Sequence, residues 1–192
     1  MNKKTTIGID IDGTLTAPDF WVEELNKQFN KNYKYGESDI YDWRDIYEID
    51  NDQFMKYYSV HGPQLHVQAK IRPDAATVIN DWHENYNLCY ITARQHFLTE
   101  ATAVWLKKHK LPGEFYVLGS HYKLNKAKEL NCQIFIEDNY DVACRLAEGG
   151  INVLLMDCVY NRKPLPQERV TRVFSWQEVA KQVAKISTKY LI

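Results

Sequence analysis

The sequence of 192 residues lacks the features that mark several large classes of protein. No apolar run approaches the roughly 20 residues of a transmembrane helix. The N-terminus leads from two lysines directly into a short apolar strand, so we expect no secretory signal peptide and a cytoplasmic location. Neither a Walker A sequence nor a GxGxxG fingerprint occurs, which argues against a P-loop and a standard dinucleotide site.

The chain also lacks an excess of either charge and any clustering of cysteine. The 24 basic and 25 acidic residues give a net charge of -1, so we expect neither nucleic acid nor an anionic membrane as a partner. The four cysteines form no CxxC pair, and we expect buried free thiols rather than a zinc site. These are Cys89, Cys132, Cys144 and Cys158. Whether the protein forms a homodimer is left open by the sequence.

The most informative stretch runs from residue 6 to residue 16 and reads TIGIDIDGTLT. Three isoleucines alternate with the carboxylates Asp10 and Asp12, which is the pattern of a short buried strand that ends in acids. Gly13 then permits the turn that ends the strand. Two like charges this close are costly to bury unless a cation lies between them. A hard ion such as Mg²⁺ meets that need, and a strand-turn with both acids in water is the alternative.

The stretch from residue 17 to residue 72 is dense in aromatic residues, with eleven of the 25 in the chain. One helix is predicted after Pro18-Asp19, because apolar residues then recur at helical spacing as far as Phe29. A second helix is predicted over residues 52–60. We interpret this stretch as a small helical cap, inserted into a core formed by residues 1–16 and 73–192.

Beyond residue 72 the sequence alternates between helical and strand patterns. Helices are predicted over residues 74–86, 98–110, 124–130, 142–148 and 176–186. Strands are predicted over residues 88–92, 115–118, 134–136, 153–156 and 169–174, with a loop containing Pro164 and Pro166 before the last. Strands that alternate with helices of this length predict an α/β fold, a parallel sheet with helices on both faces.

Ligands of such sheets bind outside the carboxyl ends of the strands, so polar residues at those ends are site candidates. The second strand ends at Thr92, whose hydroxyl suits a phosphate oxygen together with the backbone amides that follow, beginning at Ala93. An N-cap of the next helix is the alternative for Thr92. After the third strand come Lys123 and Lys126, either of which can offset carboxylate and phosphate charge.

The fourth strand ends in the two acids Glu137 and Asp138, a pairing that suits a metal better than a helix cap. Taken in order, DIDGT, Thr92, a lysine and this acidic pair resemble the four motifs of the haloacid dehalogenase superfamily of phosphatases. Lys123 is preferred because it stands 15 residues before Asp138, the spacing of the deoxyribonucleotidase-like members. The sequences ITAR and IEDN and a cap of this length resemble the 5'-nucleotidase group.

The resemblance implies a Mg²⁺-dependent phosphomonoesterase with a fold of the same superfamily. Asp10 would be the nucleophile that forms an aspartyl-phosphate, and Asp12 the general acid and base. The metal ligands would be Asp10, the main-chain carbonyl of Asp12, and Asp138, with Glu137 as the alternative to Asp138. The substrate phosphate would be held by Thr92, Ala93 and Lys123.

A nucleoside monophosphate is the substrate we expect, since Phe20, Tyr41 and Trp43 offer ring faces for a base. The alternative for these aromatics is the core of the cap. Asp19 and Arg94 are expected near the mouth, either on the substrate or as a surface ion pair. A phosphosugar or another small phosphorylated metabolite is the second reading, and a non-catalytic phosphoacceptor or phosphate-binding protein is the third.

Overall fold

The computed structural model describes residues 4–165 and 168–188, which form a six-stranded parallel sheet flanked by helices. The strands lie in the order β3-β2-β1-β4-β5-β6. Their bounds are β1 Thr6–Ile9, β2 Asn87–Thr92, β3 Glu114–Val117, β4 Cys132–Glu137, β5 Asn152–Met156 and β6 Val170–Val173. The predicted fold class is confirmed, and each strand lies within a few residues of its predicted position. Pro166 lies outside the described residues.

Eight α-helices are described, together with short 3₁₀ turns at His96–Leu98 and Val159–Asn161. Their bounds are α1 Val22–Phe29, α2 Trp43–Tyr47, α3 Asn51–Gln68, α4 Ala75–Trp82, α5 Thr99–Lys108, α6 Leu124–Glu129, α7 Tyr140–Glu148 and α8 Trp176–Ser187. Within the described ranges, no helix has both the length and the apolar character required to cross a membrane.

The sheet is buried on both faces because β1 lies at its centre and is covered from each side. Ile7 and Ile9 are fully buried in a cluster with α4, α5 and α8. The opposite face packs against α6 and α7 around Phe135. At Gly8 an added Cβ would collide with the Phe135 ring, so glycine is the residue that fits there. This packing fixes the position of β1 in the sheet and therefore the position of its carboxyl end.

The strand order places a candidate site at the carboxyl end of β1. The chain builds β1, β2 and β3 toward one edge of the sheet and then β4, β5 and β6 toward the other. The order therefore reverses between β1 and β4, and ligands of open parallel sheets bind at that kind of crevice. The amide of Asp10 donates to the carbonyl of Ile136 at 2.9 Å, which ties the ends of the two strands together.

Helix α3 extends eight residues beyond the end predicted for it at residue 60. Proline and glycine within a helix normally disfavour its continuation, and α3 contains Pro63. Tertiary packing outweighs this cost, because α3 packs against α5 and its second half buries Leu65 among side chains of α1 and α2. Side chains of α5 also bind carbonyls at the end of α3, with Trp105 donating to Ala69 and Lys108 donating to Val67.

Helices α1, α2 and α3 share a small hydrophobic cluster, separate from the two clusters of the sheet. Its buried members are Leu25, Tyr47, Tyr57 and Leu65. The five-residue helix α2 was not predicted, since it is too short to show a helical period; Asp42 begins it by accepting the amide of Arg44. At the junction of this helical segment with the sheet, Thr16 and Ile71 form an antiparallel bridge. The division at residues 17 and 72 remains a prediction.

Candidate active site

The turn after β1 is held in place by contacts from several other elements. Gly13 has a φ of +81°, a left-handed conformation that favours glycine, and an added Cβ would collide with the carboxylate of Asp138. Its carbonyl accepts two hydrogen bonds from the Arg72 guanidinium, at 2.9 and 2.7 Å. Thr14 donates its hydroxyl to Asp138 at 3.2 Å. The sequence DGT therefore fixes one wall of a site that contains Asp10 and Asp138.

Three buried carboxylates meet at this end of the sheet. Asp10, Glu137 and Asp138 each offer an oxygen, and these oxygens lie within 4.8 Å of one another. Burial raises the pKa of Asp10 to about 7, against the lowering effect of the Lys123 charge and with smaller contributions from the charges of Glu137 and Asp12. Burial and repulsion from Asp10 also raise the pKa of Asp138 well above its usual range. The cluster therefore has an excess of negative charge.

Lys123 is the cation that the structure places in this cluster. Its side chain is 2% exposed, its Nζ contacts Asp10, and it lies 2.8 Å from Glu137. Burial disfavours its charge, but Asp10 and Glu137 outweigh this and raise its pKa. Lys126 instead pairs with Glu129 at the surface. Of the two lysines left open by the sequence, Lys123 is the one in the site.

Glu137 and Asp138 have different partners, which bears on which of them is available to a metal. Glu137 accepts Lys123 on one oxygen and the amides of Asp138 and Asn139 on the other. The oxygens of Asp138 accept only neutral hydroxyls in the hydrogen bonds observed, from Thr14 and from Tyr160. The charge of Glu137 is therefore already compensated, whereas that of Asp138 is not.

These residues fit a hard divalent cation. The donor set consists of buried carboxylate oxygens, which are the ligands that Mg²⁺ prefers, and it contains no cysteine or histidine. A single lysine offsets three acids, so a divalent ion would relieve the repulsion that raises the pKa of Asp10 and Asp138. The Asp12 side chain lies outside this cluster, and only its main chain remains a candidate ligand.

The side chain of Asp12 faces two other groups. Arg94 donates to both of its oxygens, at 2.8 and 2.7 Å, and Nδ1 of His66 lies 3.3 Å from Oδ1. Burial alone would raise the pKa of Asp12, but Arg94 and His66 outweigh it and bring the pKa well below its usual range. Asp12 is therefore ionised at neutral pH in this arrangement.

The sequence did not predict this environment, and the expectation for Arg94 is corrected. Arg94 is 4% exposed and paired with Asp12, so it is neither at the mouth nor in an ion pair with the exposed Asp19. His66 was missed because nothing in an aromatic-rich stretch distinguishes it. His66 lies in the last turns of α3, beyond residue 60, where the predicted helix ended.

Thr92 ends β2 and is 1% exposed at the base of the site. Its hydroxyl accepts the amide of Arg94 at 3.2 Å. It does not cap the next helix, because the residue preceding α5 is Leu98. Ala93 follows Thr92 in the wall of the cleft, so the residues expected to hold a phosphate lie beside the acids.

The acids open into a cleft of about 310 Å³, which is walled opposite the sheet by the residues just before α1 and by α2 and α3. One part of its wall is aromatic and includes each ring expected to face a base. The aromatic lining consists of Phe20, Trp21, Tyr41, Trp43, Phe54, Tyr58 and Tyr160. Arg44 and Asn51 also line it, 3.0 Å apart. Other aromatics, such as Tyr47, form the core of the helical segment.

Known proteins resemble this chain in both sequence and structure. A nucleotidase of Clostridium acetobutylicum is 36% identical over 178 residues, with 92% of each chain covered. The YqfW protein of Bacillus subtilis, whose name also contains the word nucleotidase, is 32% identical with 90% of each chain covered. A family model described as PITM 1-3, LNS2 domain matches residues 46–136.

Solved structures share the fold at low sequence identity. A haloacid dehalogenase-like hydrolase of Streptococcus pneumoniae has a TM-score of 0.66 at 15% identity, covering 95% of this chain and 100% of that chain. The YfnB protein of Bacillus subtilis, solved with bound magnesium, has a TM-score of 0.62 at 13% identity, covering 95% and 99%. The chain therefore shares the fold of hydrolases of the haloacid dehalogenase superfamily, with three buried acids at the carboxyl end of its central strand. The chain belongs to the family of the Clostridium nucleotidase, and it is an enzyme of the phosphatase class.

Proposed function

We propose that this protein is a Mg²⁺-dependent phosphomonoesterase, acting as a 5'-nucleotidase on nucleoside or deoxynucleoside monophosphates. The observation that carries the proposal is the position of Asp10. It lies at the carboxyl end of the central strand, among Lys123 and two further buried acids, at the base of an aromatic-walled cleft. The names of the relatives in Clostridium and Bacillus support the nucleotide as the substrate.

In the first step, an oxygen of the Asp10 carboxylate attacks phosphorus and displaces the ester oxygen of the substrate. The oxygen–phosphorus bond of an aspartyl-phosphate forms as the ester bond breaks. Lys123 already contacts Asp10 and can bind a phosphoryl oxygen while the negative charge moves from the carboxylate to the leaving group. Thr92 and the amides after β2 hold the remaining phosphoryl oxygens.

Asp12 carries the proton in both steps. It is ionised without substrate, so it can accept the proton that a phosphate monoanion brings; the second pKa of a phosphate monoester is about 6. Asp12 then protonates the leaving oxygen. In the second step it takes a proton from water, whose oxygen attacks phosphorus and releases phosphate from Asp10.

Asp10, the main-chain carbonyl of Asp12, and Asp138 would hold the metal. Asp138 is preferred to Glu137 because Lys123 already compensates the charge of Glu137. When bound, Mg²⁺ supplies positive charge that neutralises the phosphoryl oxygens and the carboxylates around them. Its binding would also lower the pKa of Asp10 and keep the nucleophile ionised.

The aromatic wall supports a substrate that carries a base. Phe20, Tyr41 and Trp43 all line the cleft, and a base stacked on an aromatic ring gains about 1–3 kcal/mol. A phosphosugar has no such π-face to offer. The distinction between these two substrate classes therefore depends on the wall and not on the acids.

Phosphate release from a panel of nucleoside 5'- and 3'-monophosphates and phosphosugars, with and without Mg²⁺, tests the proposal. We expect Mg²⁺-dependent turnover with the highest kcat/KM for 5'-nucleotides, and its loss in Asp10→Asn. A Trp43→Ala variant should raise KM for nucleotides and leave KM for small phosphate esters unchanged. Turnover confined to phosphosugars would contradict the nucleotidase assignment, and no turnover of any ester would contradict the enzyme.

A further inference from the structure

Asp12 is held by two side chains that approach it from different elements. Arg94, which follows β2, places Nε 2.8 Å from Oδ2 and Nη2 2.7 Å from Oδ1. His66, in α3, places Nδ1 3.3 Å from Oδ1 without an aligned hydrogen bond. Both side chains are about 1–2% exposed, whereas that of Asp12 is 28% exposed and faces the cleft. Two buried side chains therefore hold the partly exposed carboxylate of Asp12 in place at the cleft.

Arg94 and His66 are themselves held by further hydrogen bonds on the atoms that do not face Asp12. The third guanidinium nitrogen of Arg94 donates to the hydroxyl of Thr102 at 3.0 Å, and that hydroxyl donates to the carbonyl of Leu98. The other ring nitrogen of His66 lies 2.7 Å from the hydroxyl of Tyr58. All three guanidinium nitrogens of Arg94 have partners, which fixes the plane of the group against Asp12.

These contacts leave one oxygen of Asp12 available for proton transfer. A carboxylate offers about four acceptor positions, two on each oxygen. The Arg94 fork takes one on each oxygen, and the His66 ring, although it makes no aligned hydrogen bond, lies 3.3 Å from Oδ1 and obstructs the second position there. The remaining position is on Oδ2, and a bidentate arginine fixes the plane in which it lies.

We propose that Arg94 and His66 are positioning residues that orient Asp12 so that Oδ2 exchanges the proton with the leaving oxygen. The inference rests on the proposed function, because it assigns a geometry to the acid of that reaction. Both residues line the cleft, and we assign them to Asp12 because their observed contacts there are with its carboxylate. Their effect on the rate passes through the placement of Asp12, where small displacements are costly.

The consequence is a dependence on the leaving group. An alkoxide such as the 5'-oxygen of a nucleoside needs a proton as it departs, and a well-placed general acid contributes about 10²–10⁴-fold. The p-nitrophenolate anion is stable and departs without one. Misplacement of Asp12 should therefore slow the first turnover of a nucleoside 5'-monophosphate and spare that of p-nitrophenyl phosphate.

The experiment compares the rate of the first turnover with these two substrates by rapid quench, at saturating Mg²⁺. The first turnover is chosen because hydrolysis of the aspartyl-phosphate also uses Asp12. For Arg94→Lys, which keeps the charge but loses the fork, we expect a decrease of about 10²-fold with the nucleotide and less than about threefold with p-nitrophenyl phosphate. His66→Gln should show the same selectivity as Arg94→Lys with a smaller effect. The rate with the nucleotide should decrease by less, and the rate with p-nitrophenyl phosphate should again change little.

Arg162→Lys is the control, because the exposed Arg162 also pairs with an aspartate, outside the cleft: its Nε and Nη2 lie 3.1 and 2.8 Å from Oδ2 of Asp157. It should leave both rates unchanged. In an Asp12→Asn background, Arg94→Lys should cause no further loss with the nucleotide, since there is no acid left to orient.

Four results would overturn the inference. Equal slowing of both substrates would place Arg94 on the phosphate or in the fold, and no slowing of either would show that Asp12 does not depend on it. A further loss in the Asp12→Asn background would show that Arg94 acts by another route. Wild-type protein that releases phosphate from neither ester would overturn the proposed function itself, and with it this inference.

Discussion

The buried Lys123 gives the sharpest prediction about stability. Its ammonium is the single cation in contact with Asp10 and Glu137 in the described part of the site, and its side chain is 2% exposed. Lys123→Met keeps most of the apolar stem and removes the charge, leaving two buried carboxylates without compensation. Removal of one partner from a buried ion pair costs about 3–5 kcal/mol. For a chain of this length that corresponds to a decrease of roughly 6–20 °C in Tm.

The size of this loss should depend on pH. The pKa of Asp10 in the folded protein, about 7, is above its usual value of 3.8, so the folded state binds this proton more tightly and its contribution to stability is lost as pH rises. Without Lys123 the pKa of Asp10 in the folded protein rises further. The free energy of unfolding then continues to decrease above pH 7, by up to about 1.4 kcal/mol per pH unit. The difference between wild type and Lys123→Met should therefore grow from pH 6 to pH 8.

Urea unfolding in EDTA, followed by tryptophan fluorescence at both pH values, measures this difference. Lys126→Met is the control; its pair with Glu129 lies at the surface, and its loss should cost under about 1 kcal/mol. Mg²⁺ at about 100 times its Kd should restore roughly 2.7 kcal/mol to a variant that binds it. A loss below about 1 kcal/mol at pH 8, or one that is equal at pH 6 and pH 8, would refute this reasoning.

Other predictions follow from single contacts. Gly13→Ala forces a methyl group against Asp138, so Mg²⁺ affinity measured by calorimetry should decrease by about 10–100-fold, whereas Gly36→Ala, which faces open space, should leave it unchanged. Trp105→Ala should cost about 3–5 kcal/mol of unfolding free energy, because the ring is fully buried, and Val104→Ala on the exposed side of the same helix under about 1 kcal/mol. Removal of divalent ions with EDTA should lower Tm, and Mg²⁺ should restore it in proportion to the logarithm of its concentration; an unchanged Tm would contradict a metal site.

The candidate site could be located from the sequence because its parts follow strands. Asp10, Thr92 and Asp138 each come at or directly after the carboxyl end of a parallel strand, and those ends meet at one edge of the sheet. Lys123 needed a spacing argument as well, since Lys126 has the same charge at the start of the same helix. Burial distinguishes them, and burial depends on packing that a motif does not describe.

The environment of Asp12 could not be located in this way. The sequence allows Arg94 to lie either at the mouth of the cleft or against the Asp12 carboxylate. In the structure, the hydroxyl of Thr102 in α5 accepts a hydrogen bond from Arg94 and helps to hold it against Asp12. His66 reaches Asp12 only because α3 continues beyond Pro63 and packs on α5. Local propensity predicts that the helix ends early, and tertiary contacts overrule it.

The central claim is that Asp10 carries the phosphoryl group during turnover. The most direct test is a rapid acid quench of the enzyme during turnover of a ³²P-labelled nucleoside 5'-monophosphate with Mg²⁺, followed by mapping of the labelled peptide. We predict label on the peptide that contains Asp10, in an amount that reaches its maximum before steady state and is absent from Asp10→Asn. Continued release of phosphate with no labelled protein, or label on another residue, would contradict the account.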